Sequence, residues 1–169
     1  HLKVTSTDAT FKDGSRAVRG EYVAYGENDR VLGKGTFLAQ PGQIEFVQWI
    51  TPGKSFYIKT GTWEYFLHEN GNPSSVTNFD EWGVQQGEDK SWFENGQLKS
   101  TSVYVNGKRH GEYRIFNDQG RPTSIRHYDN GTQVGRAEEY RYKASGELWE
   151  TWWEIWKNGA RVENGITRH

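Results

Sequence analysis

A glycine recurs through this chain at a nearly fixed interval, and that interval limits the fold more than any other feature. Gly61, Gly87, Gly111 and Gly135 each precede an aromatic residue by five positions, namely Phe66, Trp92, Phe116 and Tyr140. Successive glycines lie 26, 24 and 24 residues apart by subtraction. A period of this size belongs to stacked repeat architectures, in which each unit contacts mainly its neighbours. A second rhythm runs inside the first. Asn95-Gly96, Gln119-Gly120 and Ser145-Gly146 mark one turn per unit, and Asn106-Gly107, Asn130-Gly131 and Asn158-Gly159 mark another. Arrays of this kind bind along an extended face more often than they enclose a deep catalytic pocket.

The segments between the turns read as strands. Ser102–Val105, Glu138–Tyr142 and the residues around Tyr113 and Ile115 are rich in aromatic and β-branched side chains, and turn residues bound each run. Asn-Gly between two such runs is the strongest short hairpin signal, because both residues accept the positive φ of a type I′ turn. No segment carries a capped apolar period of 3.6. The expected fold is all-β, an array of antiparallel β-hairpins forming an elongated, twisted sheet. Residues 61–169 form the hairpin repeats with an atypical C-terminal unit. Residues 1–60 read as a degenerate N-terminal repeat with capping strands, in one continuous body with the rest. Gly20–Tyr25 parallels Gly111–Phe116, while Phe37–Gln48 and Ser55–Lys59 read as ordinary strands preceded by Pro-Gly turns at Pro41-Gly42 and Pro52-Gly53.

Composition sets what fills such a sheet. Only 33% of the 169 residues are hydrophobic but 15% are aromatic, with 8 Trp, 9 Tyr and 8 Phe, so the core must be aromatic. Basic residues number 21 against 22 acidic, a net charge of −1, which argues against a general nucleic-acid binder. Cysteine is absent, which excludes disulfides and thiolate-held metals. The sequence opens His1-Leu2-Lys3 without methionine, as a chain does once an export signal has been removed or once it has been trimmed to a domain, and the first reading is preferred. A periplasmic or otherwise exported protein is therefore expected, with a cytoplasmic one as the alternative. No apolar stretch approaches the length of a membrane span, so stable membrane insertion is not expected.

Ser91–Leu98 followed by Tyr104–Tyr113 resembles the variant MORN repeat of a bacterial antitoxin-like family. The resemblance covers residues 61–165, with a weaker echo at 20–36. It implies a hairpin array acting as an immunity protein or antitoxin, a toxin inhibitor working through protein–protein interaction. It brings no catalytic motif. The last unit departs from the pattern, since Gly146 to Gly159 spans 13 residues against 11 in the two before it.

The aromatic residues fall into two phases. Phe66, Trp92, Phe116 and Tyr140 form one, and Tyr104, Tyr128 and Trp156 form the other, three residues before an Asn-Gly glycine. One ring per repeat reads as a stacked core. The segment Leu148–Trp156 has more tryptophan than that phase needs. Alternation places Leu148, Trp152 and Trp156 on one face and Trp149, Trp153 and Ile155 on the other. Two readings stand side by side. Either the strand is covered on both faces, for example by Arg161–Thr167, or Trp149 and Trp153 are exposed anchors. Basic residues (Arg109, His110, Arg114, Arg121, Arg126, His127, Arg136) concentrate in the middle units and acidic ones (Glu138, Glu139, Glu147, Glu150, Glu154) in the last. They either pair across strands or steer a charged partner.

No nucleophile elbow, P-loop or zincin motif occurs, and the glutamates form no recognisable acid/base pair. His110 and His127 lack a third metal ligand. The functional expectation is thus a protein that is not an enzyme and needs no cofactor or metal. It would bind and occlude a cognate secreted toxin or effector, with a lipid-degrading, envelope-targeting effector as one plausible class. The expected partner-binding residues are Trp149, Trp153, Glu150, Glu154, Arg126 and Arg136. The alternative is an envelope-associated module for carbohydrate or lipid headgroups. Oligomeric state is left open, because an open array leaves edge strands.

Overall fold

The structure is a computed structural model that describes residues 2–40, 57–66 and 68–169. Both expected Pro-Gly turns, and most of the strand expected at Phe37–Gln48, lie outside the described residues. The fold is all-β, an array of antiparallel hairpins. It divides into two compact units, His1–Gln86 and Gly87–His169.

The first unit holds β1 (Leu2–Thr10), β2 (Arg16–Tyr25), β3 (Val31–Ala39), β4 (Tyr57–Tyr65) and β5 (Ser75–Phe79), each antiparallel to its neighbour in sequence. Its core is Phe37, Ala39 and Trp63, with Tyr22, Tyr57, Tyr65 and Phe79 packed around it. The Trp63 ring lies 5.1 Å from Tyr22 and 6.0 Å from Tyr57, and its Nε1–H donates to the Thr36 carbonyl at 2.8 Å. Burial keeps the Tyr57 hydroxyl protonated, with its pKa pushed up to about 12. This is the aromatic core that the composition requires, with most of its residues upstream of the regular repeats.

The second unit holds β6 (Gly87–Trp92), β7 (Leu98–Val105), β8 (Lys108–Phe116), β9 (Pro122–Asp129), β10 (Thr132–Tyr142), β11 (Leu148–Lys157) and β12 (Ala160–Arg168), again paired in sequence order. The two predicted turn series differ in type. Asn106-Gly107, Asn130-Gly131 and Asn158-Gly159 are two-residue loops with positive φ at both positions, as a type I′ turn requires. The others are longer loops closed by a pair of backbone hydrogen bonds, as in Phe93 N–H to the Gln97 carbonyl and Gly96 N–H to the Phe93 carbonyl. The same pair recurs at 117–121 and 143–147, with Gly96, Gly120 and Gly146 in the left-handed region.

The repeat glycines have a structural reason. Gly61, Gly87, Gly111 and Gly135 sit inside or at the start of strands with φ from +64° to +83°. At Gly61, Gly111 and Gly135 the pairing with the preceding strand slips, so these residues form β-bulges that side chains with a Cβ would strain. Across from the four glycines the following strand places Phe79, Tyr104, Tyr128 and Trp156. The second aromatic phase is therefore the cross-strand partner of the repeat glycine.

The stacked core expected of the repeat rings does not form. Phe66, Trp92, Phe116, Tyr140, Tyr104, Tyr128 and Trp156 are all only half-buried. In the second unit, cations cover many of the rings, as Lys34 and Lys59 cover Phe66, Trp63 and Tyr65 in the first. Arg109 lies over Tyr113 at 4.2 Å, Tyr128 at 5.2 Å and Tyr104 at 5.5 Å; Arg121 covers Tyr142, Arg141 covers Trp152 and Arg136 covers Trp153. The β10–β11 hairpin is longer on both arms than β8–β9: β10 has 11 residues against 9 in β8, and β11 has 10 against 8 in β9. As a result Tyr142, not Tyr140, is the counterpart of Trp92 and Phe116. Each of these three pairs with the residue opening the next strand, just past a register shift.

Candidate partner-binding surface on the C-terminal strands

The six residues expected to bind a partner all fall in β9–β11, but they do not share one face. Directly paired residues of antiparallel strands point the same way. Trp153 pairs with Glu138 and Ile155 with Arg136, so Trp153 and Arg136 lie on one face. Glu150 pairs with Arg141, Trp152 with Glu139 and Glu154 with Ala137, which places Glu150 and Glu154 on the other. Arg126 joins that second group by donating from Nη2 to Glu139 at 2.9 Å. Trp149 sits at the register shift where β11 begins.

Each of these side chains is held differently. Trp153 packs against β12 where that strand has Gly165, and a Cβ there would meet the ring at 2.5 Å. Arg136 lies over the ring at 4.8 Å, so Trp153 is half-covered. Glu150 is buried. It accepts from the Trp152 indole N–H at 3.1 Å and from Arg168 at 3.2 Å. The indole hydrogen bond, and then Arg168, hold its carboxyl below the usual range. Glu150 is thus held by groups of its own and the neighbouring strand. Glu154 is held down in the same manner, first by Arg161 and then by the Trp156 indole. On the opposite face Glu138 accepts from the Tyr140 hydroxyl and from Arg136, which lowers its pKa while burial and the Glu138 contact push Tyr140 up.

Charge pairing across strands is therefore widespread: Arg126–Glu139, Arg161–Glu154 and Arg168–Glu150 are ion pairs, and His127 sits 3.7 Å from Glu112, which also pairs with Arg114 on its own strand. The expected cover of Arg161–Thr167 over a face of β11 is not what forms. That segment is β12, which pairs edge to edge with β11. Among the described residues the exposed tryptophans are Trp149 (45%) and Trp152 (40%), and on β12 Ile166 (46%) lies opposite Trp152 with Val162 (54%) further along the strand. Four of the seven large hydrophobic residues exposed among the described residues lie on these two strands.

Sequence reasoning missed Trp152, which it placed in the core phase. The signal was present in the glutamate two residues before it, since Glu150–Trp152 and Glu154–Trp156 are matching carboxylate–indole pairs along one face. Among the described residues no group of three or more His, Cys, Asp or Glu converges as metal ligands would, and no helix is long and apolar enough to cross a membrane.

No family model matches the chain, and no curated protein does. A solved structure of a porin-like protein from Bacteroides uniformis is similar at 10% identity over 96% of this chain and 93% of that one, with a TM-score of 0.23. A TM-score that low gives no basis for transferring either fold or function.

Proposed function

We propose that this chain is a binding protein of the immunity or antitoxin kind, which captures one cognate toxin or effector and blocks it by covering its surface. The observation that carries the reading is that four large apolar residues are left exposed on two adjacent strands, Trp152 opposite Ile166 and Trp149 and Val162 towards opposite ends of the pair, while the neighbouring charges are paired off. Exposed tryptophan set among fixed polar groups is what an interface anchor looks like before its partner arrives. Hydrogen-bonded strands and internal ion pairs hold the surface in shape, so little side-chain freedom is lost on docking. The repeat resemblance supports a toxin as partner, and a toxin acting in the periplasm or on the envelope would place this chain there too.

The test is co-purification of the tagged full chain from its native source. The stoichiometric partner is then expressed alone and together with this chain. A partner toxic alone and silenced by the wild type, but not by Trp149→Ala or Val162→Asp, establishes the reading. A partner silenced equally by both variants, or no toxic partner at all, overturns it.

A further inference from the structure

Between β10, β11 and β12 lies a cleft of about 160 Å³, lined among others by Arg126, Glu139, Trp152, Glu154, Arg161 and Asn164. Its make-up selects one kind of ligand. Arg126 is paired with Glu139 at 2.9 Å, Arg161 with Glu154 at 2.8 Å, and the third lining carboxylate, Glu138, with Arg136 at 2.6 Å, so every charge lining the cleft already has a partner. A charged ligand would have to break one of these pairs to enter. A neutral ligand rich in hydroxyls would not, because each hydroxyl both donates and accepts. The rim offers both roles at short intervals: carboxylate oxygens accept, guanidinium groups donate, and the Asn164 amide does either.

One wall is an indole. Arg141, which does not line the cleft, stacks on the Trp152 ring at 4.5 Å, and the Nε1–H is tied to Glu150 at 3.1 Å. The ring plane is therefore set in advance, yet the side chain stays 40% exposed. Cavities of about 150 Å³ admit one six-membered ring. A pyranose meets all three conditions. It is neutral, it carries hydroxyls around its edge, and its axial C–H groups form an apolar face that packs on an aromatic ring.

We infer that this cleft is a monosaccharide-sized subsite that stacks a neutral pyranose on Trp152 and hydrogen-bonds its hydroxyls through Glu139, Arg126, Arg161 and Asn164. The inference goes beyond partner capture; the two surfaces share Trp152, whereas Trp149 and Val162 do not line the cleft and so report on capture alone.

The experiment is saturation-transfer NMR on the full chain with maltose, cellobiose and N,N′-diacetylchitobiose, followed by titration of any sugar that binds. Binding of at least one sugar is expected. The affinity should fall about tenfold in Trp152→Ala, the loss expected when one stacking ring is removed. Trp152→Phe keeps a ring and should retain most of the affinity. Asn164→Ala should weaken binding by a smaller factor, and Trp149→Ala should leave it unchanged. A thermal melt of each variant shows that it is folded, and Asn164→Ala carries the test if Trp152→Ala is not. Absence of transfer to all three sugars overturns the inference, as does a folded Trp152→Ala protein that binds as the wild type does. Sugar binding that persists in Trp149→Ala while toxin capture is lost keeps the two sites distinct.

Discussion

Trp63 in the first unit and Trp153 in the second both pack against a glycine of the neighbouring strand. A Cβ at Gly35 would meet the Trp63 ring at 2.4 Å, and one at Gly165 would meet the Trp153 ring at 2.5 Å. What covers the other side of each ring differs. Tyr22, Tyr57 and Tyr65 surround Trp63, together with the Lys59 ammonium 4.8 Å from the ring, and it is 1% exposed. Trp153 has the guanidinium of Arg136 above it and stays half-buried. A cation lies over both rings, so the same local device yields a buried core where three tyrosines also gather and a half-exposed surface where they do not. The lesson is that in an open sheet an aromatic residue becomes core only when further rings are brought onto it. Otherwise a long charged side chain shields it with its stem and keeps the charge in water.

The sharpest way to break this contrast is Trp63→Ala. Removing a fully buried tryptophan should cost about 3–5 kcal/mol, read by denaturant unfolding of the full chain. The loss should register in hydrogen exchange of the first unit. A cost near zero would mean that the first unit has no working core. Gly135→Ala should come next, because it forces alanine to φ +67° at the bulge, and a loss of at least about 1 kcal/mol is expected. A neutral result would show that the bulge relaxes without penalty. Arg109→Ala should cost less, about 1 kcal/mol. Three rings lose their cation, but the buried Nε, which has no acceptor, is also removed, and this offsets part of the loss. If Arg109→Ala cost as much as Trp63→Ala, the guanidinium would be core in its own right.

The gentlest probe is acid. Glu138, Glu150 and Glu154 of the second unit have folded pKa values below the ordinary 4.5. A depressed carboxyl pKa means that the unfolded chain binds protons more readily than the folded one. The stabilisation is therefore present above pH 4.5 and is lost as pH falls through the folded values. Hydrogen exchange as pH is lowered past this point should show β10–β12 loosening before the Phe37–Trp63 core. Equal loosening of both units would remove the distinction.

Much of this was legible in the chain itself. The Asn-Gly turns, the strands between them and the all-β class follow from residue type and spacing alone, because positive φ at two successive positions is open to few residue pairs. The candidate site was legible only in part. Trp149 and the charged clusters were visible, but the division of Trp153 and Arg136 from Glu150, Glu154 and Arg126 rests on alternation combined with cross-strand register. Register near Trp149 depends on the shift between Arg141 and Tyr142, which a count of intervals does not place. Tyr140 shows the same difficulty. Its spacing from Gly135 matches the repeat, yet the lengthened arms pass its role to Tyr142.

The order of residues by itself determined where this chain turns, that it forms strands, and that its glycines recur to bend them, since these are properties of single residues and their nearest neighbours. Only the tertiary structure decided which rings are buried. Burial depends on what several distant strands bring together over one side chain, and Trp63 met three tyrosines where Trp153 met an arginine.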